Sequence, residues 1–132
     1  MKKMQKILSE ISIGELLDKI SILKIKKLKI KDKNKQKLIL NEYKLLNKQK
    51  KKIKIKKNIT ELYNQLILVN LKLWNIEDKI RKLEKNKSFG KKFIHLARNV
   101  YKYNDKRSNI KLSINTLTKS NIIEVKSYLK YN

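Results

Sequence analysis

The sequence predicts an all-α protein: an up-down helical bundle of three long helices with one or two shorter ones. Three observations carry that prediction. Leu62, Leu66, Val69, Leu73, Ile76, Ile80 and Leu83 recur at alternating spacings of four and three, a sustained heptad seam. Phe89, Phe93, Leu96, Val100, Tyr103, Arg107, Ile110, Ile114 and Leu117 repeat the same spacing. Only two Gly and no Pro occur in 132 residues, which leaves little of the turn chemistry a β-sandwich requires.

The first helix is announced by Ser12-Ile13-Gly14-Glu15. That is a capping box, in which Ser12 accepts from an exposed amide while Glu15 reaches back to the amide of Ser12, and Ile11 with Leu16 forms the matching hydrophobic staple. The helix should run from about residue 13 to 30. Ile13, Leu16, Leu17, Ile20 and Leu23 share one face, with Lys24 and Lys27 on it as well. Ile22 and Ile25 lie nearly opposite, so this helix should pack between neighbours. Residues 34–50 read as a second helix through Leu38, Tyr43, Leu45 and Leu46. The run 48–57, KQKKKIKIKK, holds seven Lys and reads as a solvated connector. The third helix opens near Asn58 and carries the heptad seam over about 62–85. Ser88 can cap a fourth helix, and Ile122, Ile123, Val125 and Tyr128 suggest a short last one. All of this forms one domain, 1–132, with residues 1–10 loosely attached.

Composition excludes several classes of function. With no Cys and only His95, there is no thiolate or His-rich metal site, and no metal or cofactor is expected. No apolar run approaches a membrane span and no leader pattern is present, so a cytoplasmic protein is expected. The net charge is +25, yet it comes from 33 Lys and only 3 Arg. Lys (33), Ile (19) and Asn (14) make up half the chain, and their codons use A and T alone. An A/T-rich genome produces such a composition whatever the function, and exposed Lys accumulates at little energetic cost. Non-specific nucleic-acid binding through these lysines is therefore the second hypothesis rather than the first.

Candidate chemistry gathers beside the two seams. On the third helix Tyr63, Ile67, Asn70, Trp74, Glu77, Arg81 and Glu84 form a parallel row, with the only Trp. On the fourth, Ala97, Tyr101, Asn104, Ser108, Lys111 and Asn115 form another, with Arg98 and Asp105 just beyond it. Arg107 occupies a seam position and needs a counter-charge, for which Asp105, Glu77 and Glu15 are at hand. The expected site is a groove lined by Trp74, Glu77, Arg81, Arg98, Tyr101, Asn104, Asp105 and Arg107, with Lys24 adding positive charge. Arg81, Arg98 and Arg107 should converge inside the bundle while the lysines coat it. Such a groove suits an anionic small molecule or sugar-phosphate, bound by the Arg fork with Trp or Tyr stacking on it. A structural module dimerising through the third-helix heptads is the further alternative.

The segments ISIGELLDKISILKIKKLKI, VNLKLWNIEDKIRKLE, FIHLARNVYKYNDKRSNIKLSIN and IIEVKSYLKY resemble a family of small all-helical bacterial proteins built on a domain of unknown function. The resemblance covers roughly 11–131 and implies a genomic association with glycosyltransferases and cell-surface polysaccharide. It places family-pattern residues at Gly14, Glu15, Asp18, Lys19, Lys24, Lys26, Asn70, Trp74, Glu77, Asp78, Arg81, Phe93, Ala97, Arg98, Tyr101, Asn104, Asp105, Arg107, Lys111 and Asn115. The lysine run at 48–57 lies outside those motifs.

Overall fold

The computed structural model describes residues 4–131. Four helices follow one another: α1 (Ile13–Lys29), α2 (Lys33–Lys50), α3 (Lys57–Lys85) and α4 (Lys91–Leu117). No strand occurs among the described residues, and no helix among them is long and apolar enough to cross a membrane. α1 packs against all three other helices, and α3 lies along α4. The two-stripe reading of α1 is thereby explained: Leu16, Leu17, Ile20 and Leu23 are buried on one side and Ile25 on another. The α3 seam is spent inside the chain, where Leu66, Leu73 and Ile76 are buried. The main core joins Leu16, Leu17 and Ile20 of α1 to Ile59, Tyr63 and Leu66 of α3 and Ile114 of α4. Burying each of the large aliphatic residues there contributes about 1.5–3 kcal/mol. α2 buries only Ile39, and its Leu38 and Leu45 remain exposed.

α1 and α4 run antiparallel at very close range. A Cβ on Gly14 would stand 2.7 Å from both the Lys111 carbonyl oxygen and Asn115 Oδ1. Only glycine permits this approach. The first amides of α1 are then capped largely from across the bundle. Ile13 N donates to Ser120 Oγ (3.2 Å), Gly14 N to Asn115 Oδ1 (2.6 Å) and Glu15 N to Ser12 Oγ (3.1 Å). The Ser12 half of the capping box is present. Glu15 does not reach back to Ser12, because its carboxylate is drawn to Lys111.

Three details depart from expectation. α4 begins after Gly90 without a side-chain cap, and Ser88 instead closes α3. Ser88 N donates to Leu83 O and Lys87 N to Glu84 O, with Lys87 at φ 55°. That is a Schellman motif with lysine in the left-handed position usually held by Gly. α4 ends the same way: Ser120 N donates to Asn115 O and Lys119, at φ 54°, to Thr116 O. The last helix does not form. An isolated helix of that length is marginal in water, and residues 121–131 instead make an irregular strap beside α4. α3, finally, starts at Lys57 with no side-chain cap, so Asn58 is not its N-cap. The expectation for residues 1–3 lies outside the described residues; 4–10 are exposed and non-helical.

The two left-handed lysines give a direct test. Lys87→Gly and Lys119→Gly should each stabilise the protein by roughly 0.5–1 kcal/mol, since Gly carries no Cβ penalty at positive φ. Thermal melting should show a higher Tm for each variant and a nearly additive gain for the pair.

Candidate functional site

A strip of small and polar residues, Gly14, Asp18 and Ser21, winds along α1 at spacings of four and three and continues to Ile25 four residues on, and all four are buried. Asp18 and Ser21 are completely inaccessible. An unpaired carboxylate there would be very costly, and the surrounding helices supply its partners. Arg107 of α4 donates from Nε to Asp18 Oδ1 (2.9 Å) and from Nη2 to Oδ2 (2.5 Å). Asn70 of α3 donates from Nδ2 to Asp18 Oδ1 (2.8 Å) and to Ser21 Oγ (2.7 Å). Ser21 in turn donates to the Asp18 backbone carbonyl. Lys111, one turn beyond Arg107, bonds Glu15 at 2.5 Å and lies 3.8 Å from Asp18. Two carboxylates thus meet two cations at the meeting line of α1 and α4, with α3 contributing an amide. The bond to Asp18, followed by the nearby carboxylates, holds the Arg107 guanidinium above even its usual high value against the opposing pull of burial.

Arg107 remains partly accessible, its side chain 30% exposed. The bidentate bond occupies Nε and one Nη2 proton, leaving Nη1 and the outer edge free of Asp18. That edge lies between two clefts, both walled in part by Asn104 and Arg107. One, of about 490 Å³, runs between α1, α3 and α4 and is lined by Asn70, Trp74, Glu77 and Arg81. The other, of about 700 Å³, lies between α4 and the C-terminal strap and is lined by Glu15, Tyr101, Asp105, Lys111, Glu124 and Tyr131.

The expected groove is therefore two clefts sharing one guanidinium. Trp74, Glu77, Arg81, Asn104 and Arg107 come together in the first, and Tyr101, Asn104, Asp105 and Arg107 in the second. Arg98 and Lys24 line neither. The three guanidinium groups do not converge in the interior. Arg98 precedes Arg107 by nine residues, which at about 100° per residue places it on the opposite side of α4, and it is exposed. The Arg81 side chain is 80% exposed and makes a 3.7 Å ion pair with Glu77 one turn back, an arrangement that contributes little in water. Lys24 stands over the ring of Tyr63 instead.

Asp18 is absent from the expected groove, and it is the partner of Arg107 in place of Asp105, Glu77 or Glu15. The signal was available: Gly, Asp and Ser at positions 14, 18 and 21 sit at helical spacing on a face that the second apolar stripe had already marked as covered. Lys111, Glu15, Asn70 and Asn115 were likewise family-pattern positions left out of the groove. Among the described residues no group of three or more His, Cys, Asp or Glu is placed to hold a metal ion.

The strap closes one side of the larger cleft through few contacts. Glu124 lies 3.7 Å from Lys111, Tyr131 donates to Asp105 (2.7 Å), and the Tyr101 and Tyr131 rings meet edge to face at 5.1 Å. Lys111, then Lys126, pulls the Glu124 carboxyl below its usual value of 4.5. The Asp105 carboxylate pushes the Tyr131 hydroxyl above its usual 10.0.

Fold and site define the class: a small all-α protein in which a buried ion network floors two polar clefts. The chain belongs to the family of unknown function DUF6165, whose model matches residues 7–131. No curated protein and no solved structure matches it.

A group whose folded-state value is depressed contributes stability above its unfolded value and loses it as pH falls through the folded one. Strap attachment through Glu124 should therefore be complete at neutral pH and should weaken below about pH 4.5. Amide NMR signals of 121–131 should shift together in that range while those of α1 and α4 hold. At pH 7, Glu124→Gln should reproduce the low-pH strap signals without lowering the Tm of the bundle by more than a degree or two.

Proposed function

We propose that this protein is a binding protein that receives an anionic group on the outer edge of Arg107, with the rest of the ligand lying in one of the two clefts. One observation carries the reading: a completely buried carboxylate fixes the guanidinium by two hydrogen bonds and leaves its other edge open between two clefts. An Arg oriented in this way has lost its rotamer freedom before any ligand arrives, so less entropy opposes binding. Its planar fork suits phosphate and carboxylate oxygens.

The surroundings favour a sugar-phosphate. Trp74 offers a flat apolar face beside Arg81, and Glu77 and Asn104 offer hydrogen-bonding groups for hydroxyls. The polysaccharide context that the family resemblance implies is one in which such molecules are substrates and intermediates. Acids match cations in number in both clefts, Glu77 and Asp78 against Arg81 and Arg107 in the smaller and Glu15, Asp105 and Glu124 against Arg107, Lys111 and Lys126 in the larger, so the indole face of Trp74, which only the smaller cleft has, decides between them. An anion is better accommodated on the Trp74 side.

Trp74 is the only Trp in the chain, so its fluorescence reports on that cleft alone. Titration with glucose 1-phosphate and with a uridine diphosphate sugar should give a saturable change in emission. Arg107→Lys, which keeps the charge but not the fork, should weaken binding by about 10-fold or more, in line with the 1.5–3 kcal/mol of a charge-assisted bond. Arg81→Ala should weaken it several-fold with the fold intact, and Arg98→Ala should leave it unchanged. A flat titration with every anion at millimolar concentration, or equal losses at Arg81 and Arg98, would overturn the reading.

A further inference from the structure

The lysines are not all coating. Within the run 48–57 every Lys is exposed except Lys50, which turns inward from the end of α2. Its Nζ stands 4.7 Å from the ring centroid of Tyr63 on α3, and Lys24 Nζ of α1 stands 5.1 Å from the same centroid. On the next turn of α1, Lys27 Nζ lies 4.2 Å from the ring of Tyr43. Three helices thus bring three ammonium groups and two aromatic rings together, on residues that line neither cleft of the Arg107 site.

The cluster is electrostatically incomplete. No ion pair involves Lys24, Lys27 or Lys50 among the described residues, although α1 and α4 pair carboxylates with cations next door. Burial, then the charge of Lys24, lowers the Lys50 ammonium from its usual 10.5, and no carboxylate opposes the shift. Like charges held close at a half-buried position oppose folding, and a tyrosine face offsets only part of that. Tyr63 itself is only 6% exposed. Its hydroxyl is the one buried side-chain polar atom among the described residues with no hydrogen-bond partner. Buried donors are nearly always satisfied. Two ammonium groups without a counter-ion and a buried hydroxyl without an acceptor lack the same thing, an oxyanion.

We propose that Lys24, Lys50 and the Tyr63 hydroxyl form an oxyanion-binding site at the junction of α1, α2 and α3, separate from the Arg107 clefts and suited to a phosphate or pyrophosphate group. The two ammonium groups beside the ring supply charge, the hydroxyl supplies a donor, and Lys27 extends the positive field along α1. A/T-driven drift accounts for lysines in water at no cost. It does not account for two that share a buried tyrosine.

Calorimetric titration of the whole protein with pyrophosphate in 0.15 M salt tests the site. The wild type should bind saturably, and the K24M/K50M double variant should bind at least 10-fold more weakly. K51M/K52M removes the same charge from exposed positions and should bind like the wild type. Y63F should bind several-fold more weakly than the wild type. Because K24M/K50M relieves repulsion, its Tm without anion should equal or exceed that of the wild type, so the affinity loss reads on a folded protein. No saturable binding by the wild type would overturn the proposal. Equal losses in K24M/K50M and K51M/K52M would do so too, since binding would then follow net charge alone.

Discussion

The bidentate pair between Asp18 and Arg107 is the constraint around which the rest of the structure is arranged. A carboxylate with no exposed surface must be paired or the fold pays several kcal/mol. α4 supplies the guanidinium from its seam, where an apolar residue would otherwise sit. This choice fixes the register of α1 against α4, because Asp18 opposite Arg107 places Glu15 beside Lys111 and Gly14 against Asn115. The backbones then approach so closely that residue 14 has no room for a side chain. Asn70 adds α3 to the same knot. Ion pairing, close packing and helix capping are one arrangement here rather than three, and α1 is the element all of them share.

Much of the architecture was legible in the chain because apolar periodicity reports burial directly. The α3 heptads, the middle of the α4 repeat and the Ser12 cap lie where the spacing puts them, whereas Phe89 precedes α4 and, like Leu117, is exposed. The features that escaped depend on backbone conformation or on partners distant in sequence. Lys87 and Lys119 adopt the left-handed conformation normally signalled by Gly, so both helix ends carry no readable stop. The segment 121–131 has a helix-like apolar pattern, but its contacts to Lys111 and Asp105 hold it as a strap. The site was legible in part. Trp74, Glu77, Arg81, Asn104 and Arg107 do share a cleft, yet scarcity of arginine was a poor guide to convergence: Arg98 lies on the far side of its own helix from Arg107. The better guide was the small-polar strip on α1, since Gly, Asp and Ser have little reason to be buried together unless another helix meets them there.

The charge distribution separates background from design. Most lysines lie in water on α2, on the connector after it and on the outer faces of α3 and α4. Against them stand only 11 acids, and Glu15, Asp18, Glu77, Asp78, Asp105 and Glu124 all lie in or beneath the two clefts. A chain that drifts toward lysine nevertheless keeps more than half its carboxylates at one place. The half-buried lysines at Tyr63 are the complementary case, cations retained where carboxylates are missing.

The account stands or falls on whether the Asp18–Arg107 pair organises the bundle, and a double-mutant cycle in stability measures this most directly. Arg107→Met should cost about 3–5 kcal/mol, because it leaves the Asp18 carboxylate buried without its partner, and Asp18→Leu less, because the Arg107 guanidinium stays partly in solvent. The double variant, apolar at both positions, should recover at least about 2 kcal/mol of the summed loss. Denaturant unfolding that shows the two single losses adding to within about 0.5 kcal/mol would mean that the residues act independently, and the pair would not be the constraint described.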